Sequence, residues 1–308
     1  MNADTISFIE ELFSKNDLNR LPASYGGGRI FATPLIGVSR GDDLIFNKFK
    51  EVVAAEHLTP LEMWLKSGLT AEKSLNRRLR ILSIIFPYVD RIREESKYVT
   101  DMPAEIYSLG RNYANEFMED VLKQTVIFFQ DRGFRATAGM LSPAFQIMVR
   151  ENPFRVYSAW LERHIAFAAG LGTFSLHEGL ITEAGCNIRV TSVITDAPLQ
   201  ATPRKSDQPY ANCLYYAQKK CRKCEERCPA NAINKDGHDK LKCDLYGRVV
   251  EKEMTQRLRK LLKPHYYRID GKDNWVYPVG CAFCQFGVPC TSKNPMVKLQ
   301  RPAIEDSA

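Results

Sequence analysis

The chain has 308 residues, which exceeds one typical domain and suits two. Its 44% hydrophobic and 26% charged residues are ordinary for a soluble globular protein, and no apolar run reaches the roughly 18 residues that a membrane-spanning helix needs. Residues 1–200 carry 22 Lys+Arg and 24 Asp+Glu, a net charge of −2, whereas residues 201–308 carry 21 and 12, a net charge of +9.

The N-terminal segment predicts an amphipathic helix over residues 4–16. Glu10 and Glu11 stand where a secretion signal would carry basic residues, and no small-residue cleavage site follows. We therefore expect a cytoplasmic protein with no membrane partner. In a reducing cytoplasm the nine cysteines are available for metal binding or catalysis rather than for a disulfide framework.

The next segment predicts one strand and one helix. Three consecutive glycines, Gly26 to Gly28, form a turn before a strand-like stretch from Ile30 to Val38. Asp42 or Asp43 is placed to cap a helix that runs to about Glu56.

Two stronger signals follow. Thr59 and Pro60 supply an N-cap and a first-turn proline for a short helix. The apolar run over 80–88 predicts a buried strand that ends at Pro87, and apolar residues at three- and four-residue spacing predict a long helix over 103–129.

The pattern then predicts an amphipathic helix over 156–169, stopped by Gly170, and a strand-rich segment over 186–199. Alternating strands and helices favour an α/β layered domain over residues 1–200. The polar segment 200–210 predicts a linker to a second domain over 201–308.

Eight cysteines lie in the second domain. They are Cys213, Cys221, Cys224, Cys228, Cys243, Cys281, Cys284 and Cys290. The spacing C-x2-C-x3-C-P that ends at Cys228-Pro229 is typical of bacterial ferredoxins, in which the last cysteine binds the other cluster.

This spacing predicts two [4Fe–4S] clusters. One is held by Cys213, Cys221, Cys224 and Cys290, and the other by Cys228, Cys243, Cys281 and Cys284. The gaps after Cys213 and before Cys290 depart from ferredoxin spacing, which leaves other groupings open. Structural zinc is the alternative metal, although the Cys-Pro-Ala-x-Ala-Ile stretch favours clusters. Cys186 stands alone in the first domain and is typical of a small buried hydrophobe.

The sequence resembles the epoxyqueuosine reductase and reductive dehalogenase superfamily over about residues 103–295. The resemblance is carried by the double-cluster cysteines, by the WLERHIAFAAGLGTF stretch at 160–174, by GLIT at 179–182 and by RVTSVIT at 189–195. The stretch YSLGRNY at 107–113 resembles the family's Gly-Arg-Asp-Tyr-His region, with Asn112 in place of the acid.

The resemblance implies a nitroreductase-like cobalamin-binding α/β (α+β) domain followed by a bacterial-type two-[4Fe–4S] ferredoxin domain. It also implies that cobalamin is a cofactor beside the clusters. The implied cofactor-binding residues are Tyr107, Gly110, Asn112, Arg163, Gly170, Leu171, Gly172, Thr173, Phe174, Leu180, Ile181 and Thr182.

Three residues are candidate catalytic groups. His164 on the predicted helix is placed to donate a proton, and Tyr113 beside Arg111 is a second candidate donor because a nearby cation stabilises a phenolate. The alternative for each is an ordinary packing or surface role. Gly170 and Gly172 have a similar alternative, a helix C-cap followed by a tight turn.

The sequence departs from the family at two points. The Val-Asp-Thr-x-Pro acid of epoxyqueuosine reductases is missing before the Gly-rich stretch, and so are the helical C-terminal repeats for tRNA. We therefore expect a small-molecule substrate, with nucleic acid not favoured.

The leading hypothesis is a cobalamin-dependent reductase that receives electrons from a flavodoxin or ferredoxin. Its two clusters relay single electrons to a base-off corrinoid, which reduces an unidentified small or nucleoside-like substrate. The alternatives are a two-cluster electron-transfer or activator protein without cobalamin, and a tRNA-modifying reductase that binds RNA through its basic face. The basicity of 201–308 also offsets the negative charge of the expected clusters.

Overall fold

The computed structural model describes residues 1–297. Its helices, in chain order, are α1 (Asn2–Lys15), α2 (Ile45–Val52), α3 (Pro60–Lys66), α4 (Leu75–Arg78), α5 (Asp90–Ser96), α6 (Glu105–Gln130), α7 (Glu162–Ala168), α8 (Leu214–Gln218), α9 (Lys223–Glu226) and α10 (Lys240–Arg257). Within this part of the chain, no helix is long and apolar enough to cross a bilayer.

The strands form two four-stranded sheets and two small hairpins. They are β1 (Leu35–Arg40), β2 (Arg80–Pro87), β3 (Ala136–Ala138), β4 (Ile147–Glu151), β5 (Phe154–Ser158), β6 (Gly172–Phe174), β7 (Leu180–Thr182), β8 (Ile188–Thr195), β9 (Ile233–Asn234), β10 (Gly237–His238), β11 (His265–Ile269) and β12 (Lys272–Val276).

The central sheet has the order β1-β2-β8-β3, and every neighbouring pair in it is antiparallel. Strand β2 lies in its middle and is buried from Ile81 to Pro87. Because successive side chains of a strand point to opposite faces, Leu82, Ile84 and Phe86 join one core while Ile81 and Ile85 join another. The predicted strand over 80–88 is thus confirmed, and it separates two hydrophobic cores.

Helices cover both faces of this sheet. The first core takes buried side chains from α1, α6 and α10, and the second takes them from α2, α3 and α7. The predicted long helix over 103–129 is confirmed as α6. The predicted start at Thr59 is also confirmed, because Thr59 and Glu62 form a reciprocal capping box at α3.

The predicted helix over 156–169 is wrong in its first part. Residues 154–158 form β5, which pairs in full register with β4, and α7 begins only at Glu162. Val156 and Tyr157 are β-branched and aromatic, so pairing with a neighbouring strand is favoured over a helical turn. The predicted stop is correct: Gly170 has φ +75°, and the N–H of Leu171 donates to the carbonyl of Ala166, as in a Schellman motif.

The expected α/β (α+β) class agrees with these mixed layers, while the ferredoxin domain and the boundary at residue 200 remain predictions. The second sheet has the order β12-β11-β4-β5, so strands from 265–276 extend a sheet that begins at residue 147. Val250 and Met254 of α10 are fully buried in the first core. Residues 298–308 of the predicted second domain lie outside the described part.

Candidate metal centres and cofactor cavity

The first predicted cysteine group surrounds one small space. Cys213 precedes α8, Cys224 lies on α9, and both line this space together with Cys221 and Cys290. Burial and, to a smaller extent, the neighbouring sulfurs of Cys290, Cys213 and Cys221 raise the pKa of Cys224 to about 12. The structure therefore brings these four thiols together.

The second predicted group is equally close. Burial raises the pKa of Cys281 to about 12, with Cys243 and Cys228 nearby acting in the same direction. Burial also raises the pKa of Cys284, which lies near Cys281, Cys243 and Cys228. Cys284 is affected by Cys224 of the first group as well, so the two groups are neighbours.

These environments fit metal clusters. A thiol binds metal as a thiolate, yet burial and the neighbouring sulfurs raise the pKa of Cys224, Cys281 and Cys284, so these three keep their protons in the absence of a positive centre. Iron bound between four sulfurs supplies that charge and releases the protons. Cys186, Cys213, Cys224 and their neighbours also share a small hydrophobic cluster that shields the first group from water.

Cys186 contacts one of the predicted cluster ligands, Cys290. It is buried as expected, but its Sγ lies 3.7 Å from the Sγ of Cys290, 104 positions along the chain. The Nε2 or Nδ1 atom of buried His177 lies within 4.8 Å of both sulfurs. A hydrogen bond from Cys186 lowers the pKa of Cys290 to about 5 despite burial, and His177 acts in the same direction. The spacing of the cysteines gives no signal for this contact.

A large cavity of about 840 Å³ lies between α2, β5, α7 and the segment that follows β8. Its apolar walls include Phe49, Phe167 and Phe174, and its charged groups include Arg163 and Lys240. A concave, mainly apolar site with a few polar groups is typical of small-molecule and cofactor binding.

Three of the predicted site residues line this cavity: Arg163, His164 and Phe174. The His164 ring contacts the rings of Phe49 and Phe174, with centroids 5.1 and 4.8 Å away. Burial lowers the pKa of His164 to about 3, helped by the positive charge of Arg163. The imidazole is therefore neutral at pH 7, and its Nδ1 has no hydrogen-bond partner within residues 1–297.

An ion pair connects the cavity wall to the second cysteine group. Lys240 forms an ion pair with Glu178, and both line the cavity. Although burial raises the pKa of Glu178, a hydrogen bond from His238 and the charge of Lys240 hold it at about 2. Lys240 lies one helical turn before Cys243 on α10, so the cavity and the second group share a wall.

The predicted residues of α6 lie elsewhere, since none of them lines the cavity. The Nδ2 atom of Asn112 donates to the carbonyl of Lys263 at 2.8 Å, and Tyr113 donates to the carbonyl of Leu261 at 3.0 Å. Arg111 packs against Gly280, where a Cβ would lie 2.5 Å from its Cδ. These residues thus attach α6 to residues 261–263 and to Gly280, which directly precedes Cys281.

Tyr107 and Gly110 also make internal contacts. The Tyr107 ring lies 5.0 Å from that of Phe286, and burial raises its pKa beyond the ordinary range. A Cβ on Gly110 would meet the Ile92 side chain at 3.1 Å. The tyrosine therefore keeps its proton in a packed interior.

The residues of the Gly-rich stretch pack mainly against the protein itself. A Cβ on Gly170 would lie 2.8 Å from the carbonyl oxygen of Pro203, and one on Gly172 would lie 2.5 Å from that of Ile181. Both glycines permit a close approach of two backbones. Leu171 packs on the second core, and β7 is wholly buried, namely Leu180, Ile181 and Thr182.

Thr173 joins this stretch to the cysteine segment. Its hydroxyl accepts a hydrogen bond at 2.8 Å from the backbone N–H of Asn212, the residue before Cys213. The Nδ2 atom of Asn212 in turn donates to the carbonyl of Ile181 at 2.8 Å. The β6–β7 hairpin thus positions the first cysteine of the metal-binding segment, while its cofactor role stays a prediction.

No family model matches the chain, and no curated protein matches it significantly. Among solved structures, it is similar to an epoxyqueuosine reductase crystallised with a modified tRNA stem loop, at 15% identity and a TM-score of 0.51. That match covers 94% of this chain and 65% of the other, so the chain spans less than two thirds of the reductase's length.

An epoxyqueuosine reductase from Streptococcus thermophilus matches at 14% identity and a TM-score of 0.50, covering 96% of this chain and 68% of that one. A reductive dehalogenase solved with 3-bromo-4-hydroxybenzoic acid matches at 15% identity and a TM-score of 0.49, with 96% and 37% covered. The chain therefore has the fold of the epoxyqueuosine reductases, as its resemblance to that superfamily implies.

Proposed function

We propose that the chain is an oxidoreductase that holds two [4Fe–4S] clusters and cobalamin and reduces a small-molecule substrate. When bound, the clusters supply single-electron transfer and cobalamin supplies the reductive chemistry. The shared fold supports this proposal, but the substrate and electron donor of this chain are inferred from its own residues.

One observation carries the proposal. Two groups of four thiols lie side by side, and the second shares a wall with the cavity of about 840 Å³. A chain of redox centres that ends at a ligand cavity is what electron delivery to a bound substrate requires. A protein that only carries electrons needs no such cavity.

The cavity residues have separable roles. Phe49, Phe167 and Phe174 exclude water from one side of a bound ligand. Arg163 donates to the carbonyl of Glu178 at 3.0 Å and has no carboxylate partner within residues 1–297, so its remaining N–H groups are available to an amide or phosphate oxygen. His164 is neutral and is not an imidazolium acid at pH 7, and its Nδ1, which is unpaired within residues 1–297, is available to a bound ligand.

The cysteine segment also offers a docking surface for an acidic electron donor. Lys219 and Lys220 are exposed immediately before Cys221, and neither forms an ion pair with a carboxylate of residues 1–297. Unpaired lysines beside a buried redox centre attract a negatively charged flavodoxin or ferredoxin and bring its cofactor near.

Anaerobic EPR of the iron-reconstituted protein with cob(II)alamin tests the cofactor. We expect cobalt hyperfine lines without splitting from the lower-ligand nitrogen, beside reduced cluster signals. Arg163→Met should weaken cobalamin binding at least several-fold, whereas Lys73→Met, at an exposed position outside the cavity, should leave it unchanged. Free-cofactor lines beside intact cluster signals would favour an electron-transfer protein, and zinc in place of iron would overturn the metal assignment.

Stopped-flow reduction by a flavodoxin tests the docking surface. Lys219→Glu together with Lys220→Glu should slow bimolecular reduction about tenfold or more at low salt, because both charges are reversed. The difference in reduction rate between wild type and the double variant should become smaller as the salt concentration rises. A rate equal to that of a Lys73→Glu control would place the docking surface elsewhere.

A further inference from the structure

Three side chains from separate segments meet beside the first cysteine group: His177, Cys186 and Cys290. Their exposed fractions are 4% for His177 and 1% for Cys186, and Cys290 is partly buried. One ligand-type atom of each lies within 4.8 Å of the others. Cys290 belongs to the predicted cluster ligands, whereas the other two do not.

The backbone holds Cys186 beside Cys290. The N–H of Cys186 donates to the carbonyl of Cys290 at 2.8 Å, and the N–H of Asn187 donates to that of Thr291 at 3.2 Å. Gly185 permits this approach, because a Cβ there would lie 2.3 Å from the carbonyl oxygen of Thr291. The 3.7 Å sulfur–sulfur contact is thus built by paired backbone segments.

The hydrogen bonds of His177 determine which ring nitrogen carries its proton. The backbone N–H of Gly179 donates to Nδ1 at 3.3 Å, so Nδ1 is unprotonated and Nε2 bears the hydrogen. Nε2 is shielded from solvent and has no hydrogen-bond partner of any kind within residues 1–297. One ring nitrogen of His177 lies within 4.8 Å of the Cys290 sulfur, so this sulfur is a nearby acceptor for the unpaired donor.

We propose that His177 and Cys186 are positioning residues that donate hydrogen bonds to the Cys290 sulfur and raise the reduction potential of the cluster it holds. The inference rests on the proposed function. Reduction adds one negative charge that spreads onto the cysteine sulfurs, and donors aimed at a sulfur stabilise the reduced form. The first cluster then becomes a better electron acceptor than the thiolates alone would make it.

EPR-monitored redox titration of the anaerobic two-cluster protein tests the inference. In His177→Phe, which keeps the ring volume but has no donor, the reduced-to-oxidised ratio of one cluster should fall about tenfold at a fixed potential. For a one-electron couple this is a downward shift of about 59 mV. The other cluster should keep its potential.

Conservative variants separate hydrogen bonding from packing. His177→Gln and Cys186→Ser each retain a donor and should restore much of the potential, whereas Cys186→Ala should lower it. Equal potentials in wild type, His177→Phe and Cys186→Ala would overturn the proposal. An equal fall in reduction potential in His177→Phe and His177→Gln would also overturn it, because altered packing would then explain the change.

Iron and sulfide analysis keeps this test apart from that of the proposed function. Eight irons in wild type and in every variant are the expected result. Loss of four irons in Cys186→Ala would make Cys186 a cluster ligand and overturn its role as a donor. Stoichiometric zinc that is present in wild type and absent from His177→Phe would show that the three side chains form a zinc site, and would overturn the proposal. Wild-type protein without clusters would instead refute the proposed function.

Discussion

At the scale of single residues, burial decides the protonation state of several groups beside the cavity. Burial and the adjacent Arg163 cation both favour the neutral form of His164, and burial also favours the neutral form of Glu162, its near neighbour on α7. Both Glu162 oxygens are shielded from solvent, and burial raises its pKa from 4.5 to about 8 although Ser192 lowers it. The carboxyl group therefore holds a proton at neutral pH.

Glu162 makes the stability of the protein depend on pH. Between pH 4.5 and about 8 the folded state keeps this proton and the unfolded state loses it, so the free energy of unfolding falls as pH rises. The slope reaches about 1.4 kcal/mol per pH unit. Urea unfolding at several pH values should show that Glu162→Gln lacks this dependence of unfolding free energy on pH. Relative to wild type, the variant should therefore become more stable as pH rises toward 8.

Buried histidines act in the opposite direction, so the comparison must be made between wild type and variant. Burial lowers the pKa of His57 to about 4 and that of His164 to about 3, which destabilises the folded state as pH falls below 6.5. These two histidine effects are the same in wild type and in Glu162→Gln. Glu10→Gln, at an exposed position on α1, is the control, and an equal change of slope there would contradict the assignment to Glu162.

At the scale of elements, α6 shows that residues of a predicted functional motif also make packing contacts. The sequence predicts the helix well, because its apolar side chains recur with helical spacing over seven turns. The roles of Asn112 and Tyr113 follow from bonds to residues about 150 positions later. Spacing within the helix contains no information on such partners.

Asn112 should therefore matter for stability. It is fully buried, donates to the carbonyl of Lys263 and accepts from its N–H at 2.9 Å. Asn112→Ala leaves two backbone groups unpaired, so denaturant unfolding should show a loss of about 1–3 kcal/mol.

A matched control exists near the N-terminus. Asn2 makes the same pair of bonds to the backbone of Gln200, but these bonds are exposed and water can replace them. Asn2→Ala should lower the free energy of unfolding by well under half of the loss that Asn112→Ala causes. Equal losses in the two variants would show that burial is not the cause.

At the scale of the whole molecule, the cysteine segment and the main core are joined by α10. Cys243 lies near its start, whereas Val250, Met254 and Leu258 are buried in the first core. Helix α10 is therefore stabilised at its start by the metal that Cys243 is predicted to bind and further along by packing in the first core. Only the contribution at its start depends on metal.

Removal of iron should affect these parts differently. After anaerobic chelation, hydrogen exchange should accelerate over 213–234 and 281–290, since bonds from the cysteines to iron no longer join these segments. Protection over 250–262 should remain, because that segment packs in the first core. Uniform loss of protection throughout the chain would show that the clusters hold the entire fold together.

The sequence by itself determined the features that depend on short-range order. Cysteine spacing indicated two four-cysteine groups, the apolar run at 80–88 predicted the central strand, and Thr59 predicted the start of α3. Each signal depends on local backbone geometry, which acts over a few residues. The resemblance to epoxyqueuosine reductases added the fold.

Only the tertiary structure decided which distant residues meet. The contact of Cys186 with Cys290, the cavity shared by α2 and α7, and the attachment of α6 to residues 261–263 all join segments far apart in the chain. Residues 156–158 became a strand rather than a helix for the same reason, since their partner β4 lies outside the local pattern. Such contacts depend on how complete elements pack, and no short stretch of sequence specifies that.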